Sequence, residues 1–137
     1  MPALDDARAH LAKAREFLEA AELNNDLQLY NAAASNAVTS GINSKDAICL
    51  ALTGQARKSD NHAEAVVELK RAGAAGRDSS TTLSRLLKLK SKSQYQASSV
   101  SAADAAKSID WAARRCCSVR CPGDLRVMPD WRLWTQG

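Results

Sequence analysis

Arg57 and His62 are residues of this 137-residue chain whose types could do acid–base chemistry, with Lys58, Ser59, Asp60 and Asn61 between them. An imidazole titrates near neutral pH, so His62 can accept a proton and return it. A guanidinium offers a planar fork of donors, so Arg57 can hold negative charge as it develops in a transition state. Asp60 and Asn61 are helix-capping types that could also orient the His62 ring. Asp46 lies against Ala47, Ile48 and Cys49. A buried carboxylate requires a partner, which makes Asp46 a supporting residue of the same candidate site. Plainer roles remain open for each. His62 can pack on Val66 at a helix start, Arg57 can be a solvated loop cation, and Asp46 can face water at a polar edge.

Charge is spread unevenly. Residues 1–56 carry four bases and seven acids, and residues 57–92 carry nine bases and four acids. A polyanion would be drawn to the second stretch. There Arg85, Lys88 and Lys92 recur at helical spacing and, with Lys58, could track a phosphate backbone. The plain alternative is a solvated face, and no aromatic platform for base stacking stands beside them in sequence. Cys116, Cys117 and Cys121 bring three thiols but no histidine, short of the four ligands of a structural zinc site, so they read as free thiols. No phosphate-binding glycine loop, dinucleotide fingerprint, HExxH or G-x-S-x-G motif occurs. The expectation is therefore no metal and no cofactor.

The elements that must position these residues are helices. Alanine supplies 26 residues, and aromatic residues only 4%. Leu4, Ala7, Leu11, Ala14, Leu18 and Ala21 alternate three and four apart and predict a first helix over 3–24, ended by Asn24-Asn25-Asp26. A second, over 27–52, has one stripe through Leu27, Tyr30, Ala34, Ala37, Gly41, Ile48 and Leu52. A neighbouring stripe of Val38, Ile42 and Cys49 means that it packs against two partners. Gly41 marks a close approach or a kink, and Gly54 a C-cap. A third helix starts at Asp60 or Asn61 and stops near Gly73. Residues 73–80 read as a loop and 81–93 as a fourth helix. Ser101 with Asp104 has capping-box spacing and opens a fifth, ending near Arg115. The expected fold is all-α: an antiparallel bundle of four main helices plus a short fifth over 1–117, with 118–137 an irregular C-terminal tail.

No apolar run approaches the roughly 20 residues of a membrane span. The start, Met1-Pro2-Ala3-Leu4-Asp5-Asp6, lacks the basic and apolar regions of a signal peptide. The expected setting is cytoplasmic, without membrane attachment.

The stretch from Ala33 to Leu52, with Asp46-Ala47-Ile48-Cys49-Leu50-Ala51-Leu52-Thr53-Gly54 at its end, leads through a short polar loop to Asn61-His62. Leu86-Leu87-Lys88-Leu89, the Ser93-Gln94-Tyr95 step and Val100-Ser101-Ala102-Ala103-Asp104-Ala105 follow. Over residues 3–115 this succession resembles the HEPN family of small all-helical domains. Many members are metal-independent RNases marked by an Arg followed a few residues later by a His, and Arg57…His62 fits that pattern. Lys58 departs from it, because Asn, Asp or His often follows the Arg. The resemblance implies RNA cleavage in which His62 moves the protons of the 2′-OH and the leaving oxygen, while Arg57 holds the charge on phosphorus. It also implies a homodimer, since two sites together supply both proton roles, and the setting of a toxin–antitoxin pair. Other members are non-catalytic, and the resemblance then implies a module for an antitoxin-like or nucleotidyltransferase-like protein partner, or for a nucleotide.

Overall fold

The computed structural model describes residues 2–55, 62–71, 74–94, 96 and 98–118. Five helices follow in order: α1 (Pro2–Asp26), α2 (Tyr30–Thr53), α3 (His62–Arg71), α4 (Ala74–Gln94) and α5 (Ala102–Ser118). Among the described residues every regular element is a helix and there is no strand. No helix among them is long and apolar enough to cross a membrane.

The apolar stripe of α1 folds as its spacing predicts. Ala7, Leu11, Ala14, Leu18 and Ala21 are buried against α2. Alanine at alternate turns lets the two backbones come close, and the buried Ser40 hydroxyl donates to the Ala14 carbonyl at 2.7 Å across that contact. The pairs Asn36–Asn24, Ser40–Ala14 and Asn43–His10 run in opposite chain directions, so α1 and α2 are antiparallel. α2 is the central helix, buried over Ser44–Cys49 without interruption and touching every other helix. That is the outcome of its two apolar stripes. The stripe ends differ from expectation: Leu27 precedes α2, and both Leu27 and Leu52 are exposed.

The α1–α2 turn lies later than the Asn24–Asp26 signal suggests. Helix continues through Asp26, and Gln28 takes the left-handed conformation at φ 61°. Leu29 N–H then reaches the Asn24 carbonyl at 2.8 Å, and Gln28 N–H the Asn25 carbonyl at 3.0 Å. This pair of bonds is a Schellman closure with glutamine in the seat that glycine usually takes. A side chain at that φ costs about 1–2 kcal/mol. Gln28→Gly is expected to raise the unfolding free energy by about 1 kcal/mol in urea titrations, allowing for glycine's greater entropy when unfolded. A midpoint that stays or falls would contradict this account of the turn.

Gly41 is a site of close approach. A Cβ there would stand 2.5 Å from the Leu86 Cδ1 atom, and Leu83 closes the same side. Both leucines are fully buried on α4. Gly41→Val is therefore expected to lower stability by about 1–3 kcal/mol through overpacking. A calorimetric melting temperature equal to wild type would overturn that expectation. At its end α2 stops as predicted: Gly54 is left-handed at φ 75°, and its N–H caps the Leu50 carbonyl at 3.0 Å.

Helix α4 begins at Ala74, not near Thr81, so most of the expected 73–80 loop is helical. Gly76, Asp78 and Ser79 are weak helix formers, and the helix that they extend is anchored further on by the buried Leu83, Leu86 and Leu87. α5 opens at Ser101, whose hydroxyl accepts the Asp104 N–H at 3.1 Å as the capping spacing predicts. It runs to Ser118, so Cys116 and Cys117 are helical in backbone, beyond the expected end near Arg115. With 17 residues it is not the short element; α3, with ten, is. Residues 119–137, which hold Cys121 and most of the expected tail, lie outside the described residues.

Candidate functional site

Arg57, Lys58, Asp60 and Asn61 lie outside the described residues. His62 is the first residue of α3. The backbone donors of that first turn have no partner within the helix, and they carry the positive end of its dipole.

Asp46 is buried and has found partners. The Lys45 ammonium sits 2.5 Å from its Oδ1 atom and 3.3 Å from Glu68 Oε1 on α3. Lys45 itself is 3% exposed. Burial alone would lower its pKa. The hydrogen bond and charge of Asp46, joined by those of Glu68, outweigh burial, and the pKa ends above its ordinary value. The ammonium therefore stays charged inside the fold. α3 rests mainly on α4 and meets α2 lightly, and the Lys45–Glu68 pair is a polar tie between α3 and the central helix.

His10 on α1 completes the cluster. Its Nδ1 atom lies 3.0 Å from Asn43 Oδ1 and 3.9 Å from Asp46 Oδ2. Asn43 Nδ2 donates to the Thr39 carbonyl at 3.0 Å, which turns Oδ1 toward the ring. An amide oxygen only accepts, so Nδ1 carries the proton. One turn beyond Lys45, the buried Cys49 thiol is pushed up to about 12, first by burial and then by the Glu68 carboxylate. It is a neutral, unreactive thiol at ordinary pH. His10, Lys45 and Glu68 were not candidates from sequence, because their partners lie 20 or more residues away or in the adjacent position of an apolar helix face. This cluster holds three helices together and leaves Asp46 occupied as a counter-ion. Among the described residues, no three His, Cys, Asp or Glu side chains converge to hold a metal ion.

The other candidates lie on α4. Arg85 and Lys88 are exposed, and Lys92 is half-buried, 3.8 Å from Asp104 on α5. Trp111 on α5 stands beside this row, with the Arg85 guanidinium 6.0 Å from its ring centroid. The sequence separates Arg85 and Trp111 by 26 positions, and only the antiparallel pairing of α4 with α5 unites them. Asp46 and the α4 row therefore belong to different parts of the molecule.

A scan against protein-family models finds no match for the chain, and a search of curated proteins finds none. The described residues form helices alone, with a buried ion cluster and a cationic outer helix face.

Proposed function

We propose that the chain is an HEPN-like antiparallel bundle with an RNA-directed role, a metal-independent endoribonuclease or toxin-type subunit working as a homodimer. The observation that carries this reading is the exposed cationic row of α4, where Arg85 and Lys88 face solvent and Lys92 extends the line. Phosphate contacts of this kind supply most of the affinity for a nucleic-acid backbone. The start of α3 at His62 supports it, because a helix N-terminus favours a phosphate beside that residue. In this reading His62 transfers the proton, Arg57 holds the phosphorane charge, Asp60 and Asn61 orient the imidazole, and Lys58 binds the RNA. Asp46 acts at a distance, by fixing α3 through Lys45 and Glu68.

The test is cleavage of single-stranded RNA by the purified chain. Cleavage is expected to survive chelator and to leave 2′,3′-cyclic phosphate ends. His62→Ala and Arg57→Ala should each abolish it while circular dichroism and the dimer remain. Wild-type protein that cuts no RNA would defeat the enzymatic reading.

A second reading is a non-catalytic HEPN-like module for a protein partner or nucleotide. One observation favours it. Leu23, Leu27 and Leu29 are 58%, 69% and 51% exposed at the α1–α2 corner. Defined co-purification with one partner, lost in a Leu27→Ser variant, would decide for it.

A further inference from the structure

We propose that the α4–α5 seam is a base-stacking platform for single-stranded RNA, built by the Arg85 guanidinium held over the Trp111 indole. The proposal rests on the RNA-directed reading and adds how unpaired bases are recognised. Trp111 is half-buried and packs against the core, which fixes the ring. Arg85 is exposed and lies over it at 6.0 Å, within reach of a cation–π attraction. The guanidinium is exposed while the indole beside it is packed on the core, so the pair offers planar groups to solvent at a fixed place. A nucleobase can stack there, as bases do on arginine planes and aromatic rings.

The flanking charges suit the backbone of the same strand. Lys88 and Lys107 are exposed on the two helices, between Arg85–Trp111 at one end and Lys92–Asp104 at the other. From Arg85 to Lys92 the row spans about 10 Å of helix axis. Among the described residues of α5, the carboxylates Asp104 and Asp110 each have a cation beside them. Asp104 lies by Lys92, and Asp110 pairs with Arg114 at 3.1 Å. The seam therefore keeps a positive excess next to a planar stacking surface. A duplex hides its base faces and offers only phosphates, so the seam favours single strands.

The experiment is fluorescence anisotropy with a labelled 2′-O-methyl oligoribonucleotide, which cannot be cut through its 2′-oxygen. A duplex of equal length and inorganic polyphosphate serve as comparison ligands. Arg85→Lys keeps the charge and removes the plane. It is expected to weaken single-strand binding about fivefold or more, the scale of one lost stack, and to leave polyphosphate binding unchanged. Lys88→Gln is expected to weaken both. Trp111→Leu should reproduce the Arg85→Lys loss. Because Trp111 also packs on the core, Arg85→Lys, at an exposed position, is the variant that decides. Equal single-strand affinity of Arg85→Lys and wild type overturns the platform, and so does equal affinity for duplex and single strand. If RNA cleavage still depends on His62 in that case, the RNA-directed reading stands and only the platform falls. A wild-type chain that neither binds nor cuts RNA overturns both.

Discussion

Lys45→Met is expected to lower the unfolding free energy by about 3–5 kcal/mol. The reason is asymmetry. The ammonium is 3% exposed and stands between Asp46 and Glu68, 3.3 Å from the latter. Methionine matches the length of the lysine stem and keeps its packing. It removes the ammonium that stands between the two carboxylates, and Asp46 has little water to turn to. Urea unfolding followed by circular dichroism at neutral pH measures the loss. The cluster as a whole is not a strong source of stability, since burying all three charges is costly. A triple variant, Lys45→Met with Asp46→Leu and Glu68→Met, is therefore expected to recover most of what Lys45→Met loses. A Lys45→Met protein within about 1 kcal/mol of wild type would show that water reaches the carboxylates and that the cluster is not closed.

The same substitution separates local from global effects. α3 leans on α4 and touches α2 lightly, so losing the Lys45–Glu68 tie acts first on α3. Amide exchange in α3 is expected to quicken more than in α1, whose contact with α2 rests on Leu11, Leu18 and close alanines.

How far this architecture was legible in the sequence follows from the range of each signal. The α1 stripe, the Gly54 cap and the Ser101 cap are local patterns, and each appears where its spacing places it. The α1–α2 turn was misplaced because its left-handed residue is Gln28, which carries no glycine mark. The start of α4 was misplaced for the converse reason. Gly76 and Asp78-Ser79-Ser80 look like a loop, but the segment continues a helix anchored by the buried Leu83, Leu86 and Leu87. Asp46 was legible as a charge needing a partner, yet not the identity of that partner. Its cation is the preceding residue, whose long stem lets the ammonium bend back within an apolar face, and Glu68 and His10 arrive from other helices. Trp111 was missed as a neighbour of the α4 row for the same reason, since only helix pairing brings it to Arg85.

Alkaline pH is expected to unfold the chain earlier than its helices alone would, and Cys49 is the main cause. Burial, with the Glu68 carboxylate behind it, pushes the folded thiol up to about 12 from 9.0. Between those values the unfolded chain has lost the thiol proton and the folded chain has kept it. The unfolded state then binds fewer protons, so stability falls as pH rises. One group with this shift removes about 1.4 kcal/mol by roughly pH 10 and about 4 kcal/mol near pH 12. Lys45 acts in the same direction at the upper end of the range. Its folded pKa lies above 10.5, so the stability that it contributes is complete below that value and is lost as pH rises through the folded pKa. Cys49→Ala removes only the thiol part. It costs some packing at neutral pH, because the side chain is fully buried, but its stability is expected to stay nearly flat between about pH 8 and 10, where wild type declines. Pulse alkylation read by peptide mass spectrometry gives an independent measure. The Cys49 peptide is expected to stay unmodified in the native protein at about pH 9 and to react at once in urea. Native Cys49 that alkylates as fast as the denatured thiol, or a Cys49→Ala protein with the wild-type pH slope, would remove this thiol from the account of alkaline unfolding.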